Sequence, residues 1–123
     1  MPVKESIDVA RNLIYRELQG RVSPEEIIAS IDSVVNDPDF DPGMNSLNDL
    51  RQVVHQADRE FVMNIAHTIV GYSEKLKSGK VALVVSSDVV FGMMRMLQSY
   101  VGDAPLDIMV FKDIEEAEYW LES

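Results

Sequence analysis

Five consecutive apolar residues, Val81, Ala82, Leu83, Val84 and Val85, run straight into Ser86, Ser87 and Asp88, and this stretch constrains the fold most. The run is too short for a helix and rich in β-branched side chains, so it reads as a strand. Successive side chains of a strand point to opposite faces. An unbroken apolar run therefore requires cover on both, as inner strands of parallel sheets have. Ser86, Ser87 and Asp88 then offer side-chain oxygens to the free N–H groups that begin a helix. That helix, Asp88–Val101, carries Val90, Met94, Leu97 and Val101 on one stripe, widened by Phe91 and Met93. Strand, polar turn and helix make the repeating unit of an α/β domain.

The rest of the chain supplies partners for that unit. Ile7 and Val9 alternate with Ser6 and Asp8, which predicts a short half-exposed strand. A second strand over about residues 13–19 puts Ile14, Arg16 and Leu18 on one face and Leu13, Tyr15 and Glu17 on the other. The two read as a hairpin turning near Arg11 and Asn12 and closed by Gly20. Ser23-Pro24-Glu25-Glu26 has the form of an N-cap, a first-turn proline and a capping-box glutamate, with Val22 and Ile27 placed as a hydrophobic staple. The helix it opens continues through Ile28, Ile31, Val34 and Val35 to a stop at Asn36-Asp37-Pro38. Residues 37–43 carry aspartates at alternate positions, but a calcium loop of the EF-hand type needs Gly and Glu where this chain has Pro42 and Asn48. The segment reads instead as a turn with Phe40 tucked inward.

Residues 44–53 show neither period cleanly, because Asn48 and Asp49 separate Leu47 from Leu50. Asp58 caps a helix to about Leu76, with Phe61, Val62, Ile65, Ala66, Ile69, Tyr72 and Leu76 on its apolar face and Ser78-Gly79 at its end. After a turn at Gly102-Asp103-Ala104-Pro105, Leu106, Ile108 and Val110 alternate with Asp107, Met109 and Phe111 in a last strand. Asp113 with Glu116 repeats the capping-box pattern, and Ile114, Ala117 and Leu121 of the final helix face the sheet, with Tyr119 and Trp120 near its edge.

Length and charge bound the function. A chain of 123 residues is expected to form one domain with its own core. Eleven basic against twenty-one acidic residues leave a net charge of −10, with the cations scattered, a field that repels nucleic acid. The sequence has no cysteine, hence no disulfide and no thiolate metal site. No apolar run approaches the ~20 residues that cross a bilayer, and the first residues lack the apolar core of a signal peptide. The expected location is cytoplasmic. No cofactor or metal site is indicated.

Four groups of residues also occur in one order along nearly the whole chain. They are Asp37-Pro38-x-Phe40 with Pro42-Gly43; Asp49-Leu50-Arg51; Val81-Ala82-x-Val84 leading to Ser87-Asp88-x-x-Phe91-Gly92-Met93-x-Arg95-Met96; and Val110-Phe111-x-Asp113-x-Glu115-Glu116-Ala117-x-x-Trp120-Leu121. Together they resemble the SpoIIAA-like family, bacterial proteins of the STAS/SEC14 type. The resemblance implies a βα superhelix with helices mainly on one side, and it makes residues 47–51 a strand. The expected architecture is then a mixed, mostly parallel sheet of about five strands, with an N-terminal antiparallel hairpin and four helices. Crossovers should be right-handed. The resemblance implies no established activity.

The candidate functional residues follow from chemistry at strand ends. Asp49 and Arg51 point to the same side of one strand, either as a functional polar pair or as an internal ion pair. Ser86 and Ser87 have no G-x-S-x-G elbow around them, and the histidines are His55 and His67 alone, so helix capping is the better reading for Ser87 and a Ser–His55 hydrolase the lesser alternative. The turn also lacks the glycines of a dinucleotide site. The helix Asp88–Val101 has a second apolar line, Val89, Met93, Met96 and Tyr100. Methionine adapts its shape to varied partners, so Phe91, Met93 and Met96 join Asp49, Arg51, Ser86 and Ser87 as candidate binding residues. The function expected is binding without catalytic machinery, as a protein-interaction or regulatory module or homodimer. The alternative is a carrier or sensor of a small apolar, lipid-like ligand.

Anti-sigma-factor antagonists of the resembling type are switched by phosphorylation of a serine where the third strand meets the next helix. Residues 49–58 contain no Ser or Thr. Incubation with an anti-sigma-factor kinase and ATP should leave this segment unmodified, and stoichiometric phosphate there by mass spectrometry would contradict the reading.

Overall fold

A computed structural model describes residues 2–54, 58–77, 79–104 and 106–123. In chain order the elements are β1 (Val3–Asp8), β2 (Leu13–Gly20), α1 (Pro24–Val35), β3 (Asn45–Val53), α2 (Arg59–Leu76), β4 (Lys80–Val84), α3 (Asp88–Val101), β5 (Asp107–Phe111) and α4 (Ile114–Glu122). The five strands form one sheet in the order β1-β2-β3-β4-β5. β1 and β2 are antiparallel, and every later pair is parallel. Because each parallel strand is laid beside the one before it, three crossovers in the same direction place α1, α2 and α3 on one face. α4 follows the last strand and packs on the other, against β3, β4 and β5.

The burial demand of β4 is met from both sides. Leu83 and Val85 enter the core under α2 and α3 with Val62, Ile65, Val90, Leu97 and Val101. Ala82 and Val84 are fully buried beneath α4, among Leu13, Leu47, Ala117 and Leu121. The main stripe of α3 faces inward as its spacing predicts, with Val90, Leu97 and Val101 buried and Met94 half-buried against the same cluster. Phe40 is half-buried on Ile14, Val34 and Met44, so the proline-rich turn does tuck its aromatic ring inward.

Three boundaries differ from the pattern. β1 begins at Val3, because its ladder with β2 runs from Val3↔Leu18 to Asp8↔Leu13; Val9 lies in the turn, 63 % exposed. Backbone pairing to a long partner strand, not side-chain alternation, sets its length. β3 extends over nine residues despite its broken periodicity, since Ser46, Asn48 and Asp49 are buried polar positions with bonded side chains. β4 runs Lys80–Val84, so Val85 lies just past its end, whereas α2 ends at Leu76 as its spacing predicts.

Capping follows the sequence closely. Ser23 Oγ accepts from Glu26 N–H at 3.2 Å while the Glu26 carboxylate accepts from Ser23 N–H at 3.0 Å. Asp58 accepts from Phe61 N–H, Ser87 from Val90 N–H and Asp113 from Glu115 N–H. At α4 the reciprocal bond from Glu116 is not made among the described residues, so Asp113 acts as a plain cap. The far end of α4 is closed by tertiary partners instead. Lys80 Nζ donates to Trp120 O at 3.0 Å and Ser123 O at 2.7 Å, and Asn45 Nδ2 donates to Leu121 O. Lys80 also lies 5.4 Å from the centre of the Trp120 ring, which tilts against Phe111. A cation at a helix C-terminus is favourable for the same reason an acid is at its N-terminus.

Gly79 is fixed by space. A Cβ there would stand 2.2 Å from the carbonyl oxygen of Met44, which is backbone and cannot swing away. In urea denaturation, Ser23→Ala and Asp113→Ala should each lose ~1 kcal/mol through an unfilled N-cap. Gly79→Ala should lose more than either, at least ~2 kcal/mol, because backbone must shift. A Gly79→Ala protein as stable as the parent would show that the packing of β4 against the start of β3 is looser than described.

Candidate functional site

The polar residues chosen from the sequence lie at the carboxyl ends of β3 and β4, with Asp49 and Arg51 on the strand face of Leu47, and Ser87 at the start of α3. Arg51 and Asp49 form a two-pronged pair, Nη2 to Oδ2 at 2.8 Å and Nε to Oδ1 at 2.9 Å, and Arg51 N–H also donates to Oδ1. The Asp49 side chain is 8 % exposed and the Arg51 side chain 41 %. Hydrogen bonds from Arg51 hold the Asp49 carboxyl below its usual range against the opposing pull of burial, and Asp49 in turn raises Arg51. Tyr15 is raised first by burial and then by the Asp49 charge. Ser86 Oγ donates to the carbonyl of Arg51 at 3.1 Å, which joins the end of β3 to the turn after β4.

Ser87 caps α3 through its hydroxyl. The next residue, Asp88, pairs with Lys112, whose ammonium also lies 5.4 Å from the centre of the Phe91 ring. His55, the partner weighed for a serine nucleophile, lies outside the described residues. His67 is exposed on α2. The two methionines part company: Met93 is half-buried and turns into the space beneath the helices, whereas Met96 remains 37 % exposed beside Val89 and Tyr100. Arg59, the first residue of α2, donates to Tyr100 OH at 3.0 Å and so ties that exposed line to α2.

The space that Met93 enters is a cavity of about 160 Å³ between the sheet and α1, α2 and α3. Its walls are apolar side chains such as Leu18, Ile31, Phe61, Ile65 and Leu83. Three polar residues interrupt them: Arg16 on β2, and Ser46 and Asn48 on β3. They form one connected set. Arg16 Nη1 donates to Asn48 Oδ1 at 2.7 Å, and Asn48 Nδ2 donates to Ser46 Oγ and Ala82 O. Arg16 Nε donates to Ser30 Oγ of α1 at 2.7 Å. These partners are neutral, and burial pulls the Arg16 pKa down to about 10, only partly countered by Glu5. Glu5 is the cross-strand neighbour of Arg16 on the same face, yet no carboxylate lies within ion-pair distance of Arg16 among the described residues.

None of Arg16, Ser30, Ser46 or Asn48 stood out as a site residue in the sequence. The available signal was alternation: Arg16 shares its strand face with Ile14 and Leu18, a charge where the pattern demands an apolar side chain. Among the described residues no group of three acidic or imidazole side chains could hold a metal ion, and no helix is long and apolar enough to cross a membrane.

No protein-family model matches the chain, and no curated protein matches its sequence. Among solved structures it is similar to an uncharacterised protein of the DUF3478 family with a SpoIIAA-like fold, from Shewanella loihica PV-4. The TM-score is 0.66 at 14 % sequence identity, over 97 % of this chain and 93 % of the other. The chain thus has the SpoIIAA-like α/β fold that its motifs resemble. At that identity the likeness is one of fold alone, and fold does not fix function.

The Asp49–Arg51 pair carries a prediction with a defined sign. A carboxyl lowered in the folded state contributes stability above its unfolded pKa and loses it as pH falls from there through the folded value. Stability should therefore decline as pH drops below the ordinary value of 3.8. Arg51→Ala should remove part of that decline and lower stability at pH 7 by about 1 kcal/mol, since the Arg51 end of the pair is open to water. Parallel urea titrations from pH 3 to pH 7 on both proteins measure this, and identical curves would mean the pair contributes nothing.

Proposed function

We propose that this is a non-catalytic, cytoplasmic binding domain that takes up a small apolar ligand in the cavity between the sheet and α1, α2 and α3. The observation that carries the reading is the cavity itself, about 160 Å³ with walls almost wholly apolar. An apolar void of ~150 Å³ in another protein stays dry and accepts benzene. A ligand that fills the space gains dispersion contacts with those apolar walls.

A second reading rests on a separate observation, the exposed line Val89, Met96 and Tyr100 on α3. Such a line suits association with a protein partner or a second copy of the chain. The two readings predict different species. Native mass spectrometry of the purified protein should show a small added mass for the ligand-binding reading and a dimer for the association reading. Met96→Glu should leave monomer stability nearly intact in both cases, abolishing only the dimer.

Toluene serves as the direct probe of the cavity. At tenfold its Kd it should stabilise the fold by about 1.4 kcal/mol, which raises Tm by several degrees. Ile65→Trp, which fills the cavity from α2, should remove that shift. No toluene-dependent shift at saturation in the parent protein would defeat the ligand-binding reading.

A further inference from the structure

We infer that the cavity selects a monocarboxylic acid whose apolar body is about the size of a benzene ring, with its carboxylate on Arg16. The inference rests on the ligand-binding reading above and adds the chemistry of the ligand. Arg16 is a cation placed on the core-facing side of β2, held by α1 through Ser30 and by β3 through Asn48. Those two bonds fix the plane of the guanidinium, yet they occupy only Nε and one N–H of Nη1. The second N–H of Nη1 and both on Nη2 have no protein acceptor among the described residues. No fully buried side-chain nitrogen or oxygen there lacks a partner, so Nη2 must be reached by a water-sized probe. Arg16 lines the cavity, and its free tip is where such contact is possible.

The free donors define the partner. Two parallel N–H groups at the end of a planar guanidinium match the two oxygens of a carboxylate, in the geometry that gives arginine its preference for such anions. A neutral polar group would leave the charge uncompensated. Burial pulls the Arg16 pKa down to about 10, only partly countered by Glu5. Among the described residues the acid that acts on it is Glu5, across the β1–β2 ladder, and Glu5 stops short of an ion pair. Among the described residues the rest of the cavity lining is apolar apart from Ser46 and Asn48, which already bond each other. Anion at one end and hydrocarbon over the rest is the complement of that surface. The volume limits the hydrocarbon part to about six or seven carbons, by comparison with the void that holds benzene.

Benzoate and benzyl alcohol are matched probes, alike in ring and size and different in charge. Isothermal titration at pH 7 should give the parent protein a Kd for benzoate at least tenfold below that for benzyl alcohol. In Arg16→Gln the benzoate advantage should vanish while benzyl alcohol binds as before. The parent protein also supplies a test that needs no variant. The Nε–H resonance of Arg16 should shift on titration with benzoate and stay in place with benzyl alcohol, so a poorly folded Arg16→Gln does not blunt the experiment. Equal affinities for acid and alcohol, or benzoate binding that leaves the Arg16 resonance unmoved, would overturn the carboxylate inference and leave the apolar cavity standing. Failure of benzoate, benzyl alcohol and toluene alike would overturn both.

Discussion

Everything in this fold answers to a strand that is apolar on both faces. β4 has no polar side on which to meet water, so Ala82 and Val84 require a layer above the sheet while Leu83, and Val85 just past the strand, require one below. Three helices supplied by the crossovers cover one face because the strands advance in a single direction. The other face is left to α4 alone. A nine-residue helix spans only part of a five-stranded sheet, and it is held there by more than its apolar stripe. Lys80 and Asn45, at the beginnings of β4 and β3, take up its terminal carbonyls. The same strand that creates the demand for cover thus helps to anchor the cover.

Polar groups divide between the two faces with different consequences. On the α4 side, Asp49 and Arg51 satisfy each other in a pair whose arginine end is wet, and Ser86 ties that pair to the next turn. The charges there are matched. On the helix side, Arg16 is bound only by neutral oxygens in a low-dielectric setting, with donors left over. A half-buried cation whose protein partners are all neutral gains from an anion that reaches its free donors. The asymmetry turns attention from the strand-end residues to the cavity beneath α1, α2 and α3.

The Met-rich helix shows how one element can serve two environments. Its first stripe packs on the sheet through Val90, Leu97 and Val101. The second line divides within a single turn, Met93 into the cavity wall and Met96 to the surface. Residues three apart on a helix lie on neighbouring but not identical bearings, so a small rotation separates core from exterior. Flexible side chains at that boundary adapt to either.

Sequence alone determined the caps at Ser23, Asp58, Ser87 and Asp113, the inward stripe of α3 and the two-faced burial of residues 81–85. These depend on local chemistry: a hydroxyl or carboxylate one turn from an N–H, or a period of side chains that any buried helix or strand must obey. The order of quoted motifs added the third strand and the SpoIIAA-like arrangement, which periodicity did not reach because Ser46, Asn48 and Asp49 break the alternation. The tertiary structure decided what those polar residues are for. Asn48 faces Arg16 from a strand thirty-two residues away, and Ser30 reaches it from a helix. Their hydrogen bonds are specified by sheet register and helix placement, which no local pattern encodes. The cavity is likewise a property of how three helices and a sheet fail to fill the space among them. A sequence states the volume of each side chain, but only the packed fold states the volume left between them.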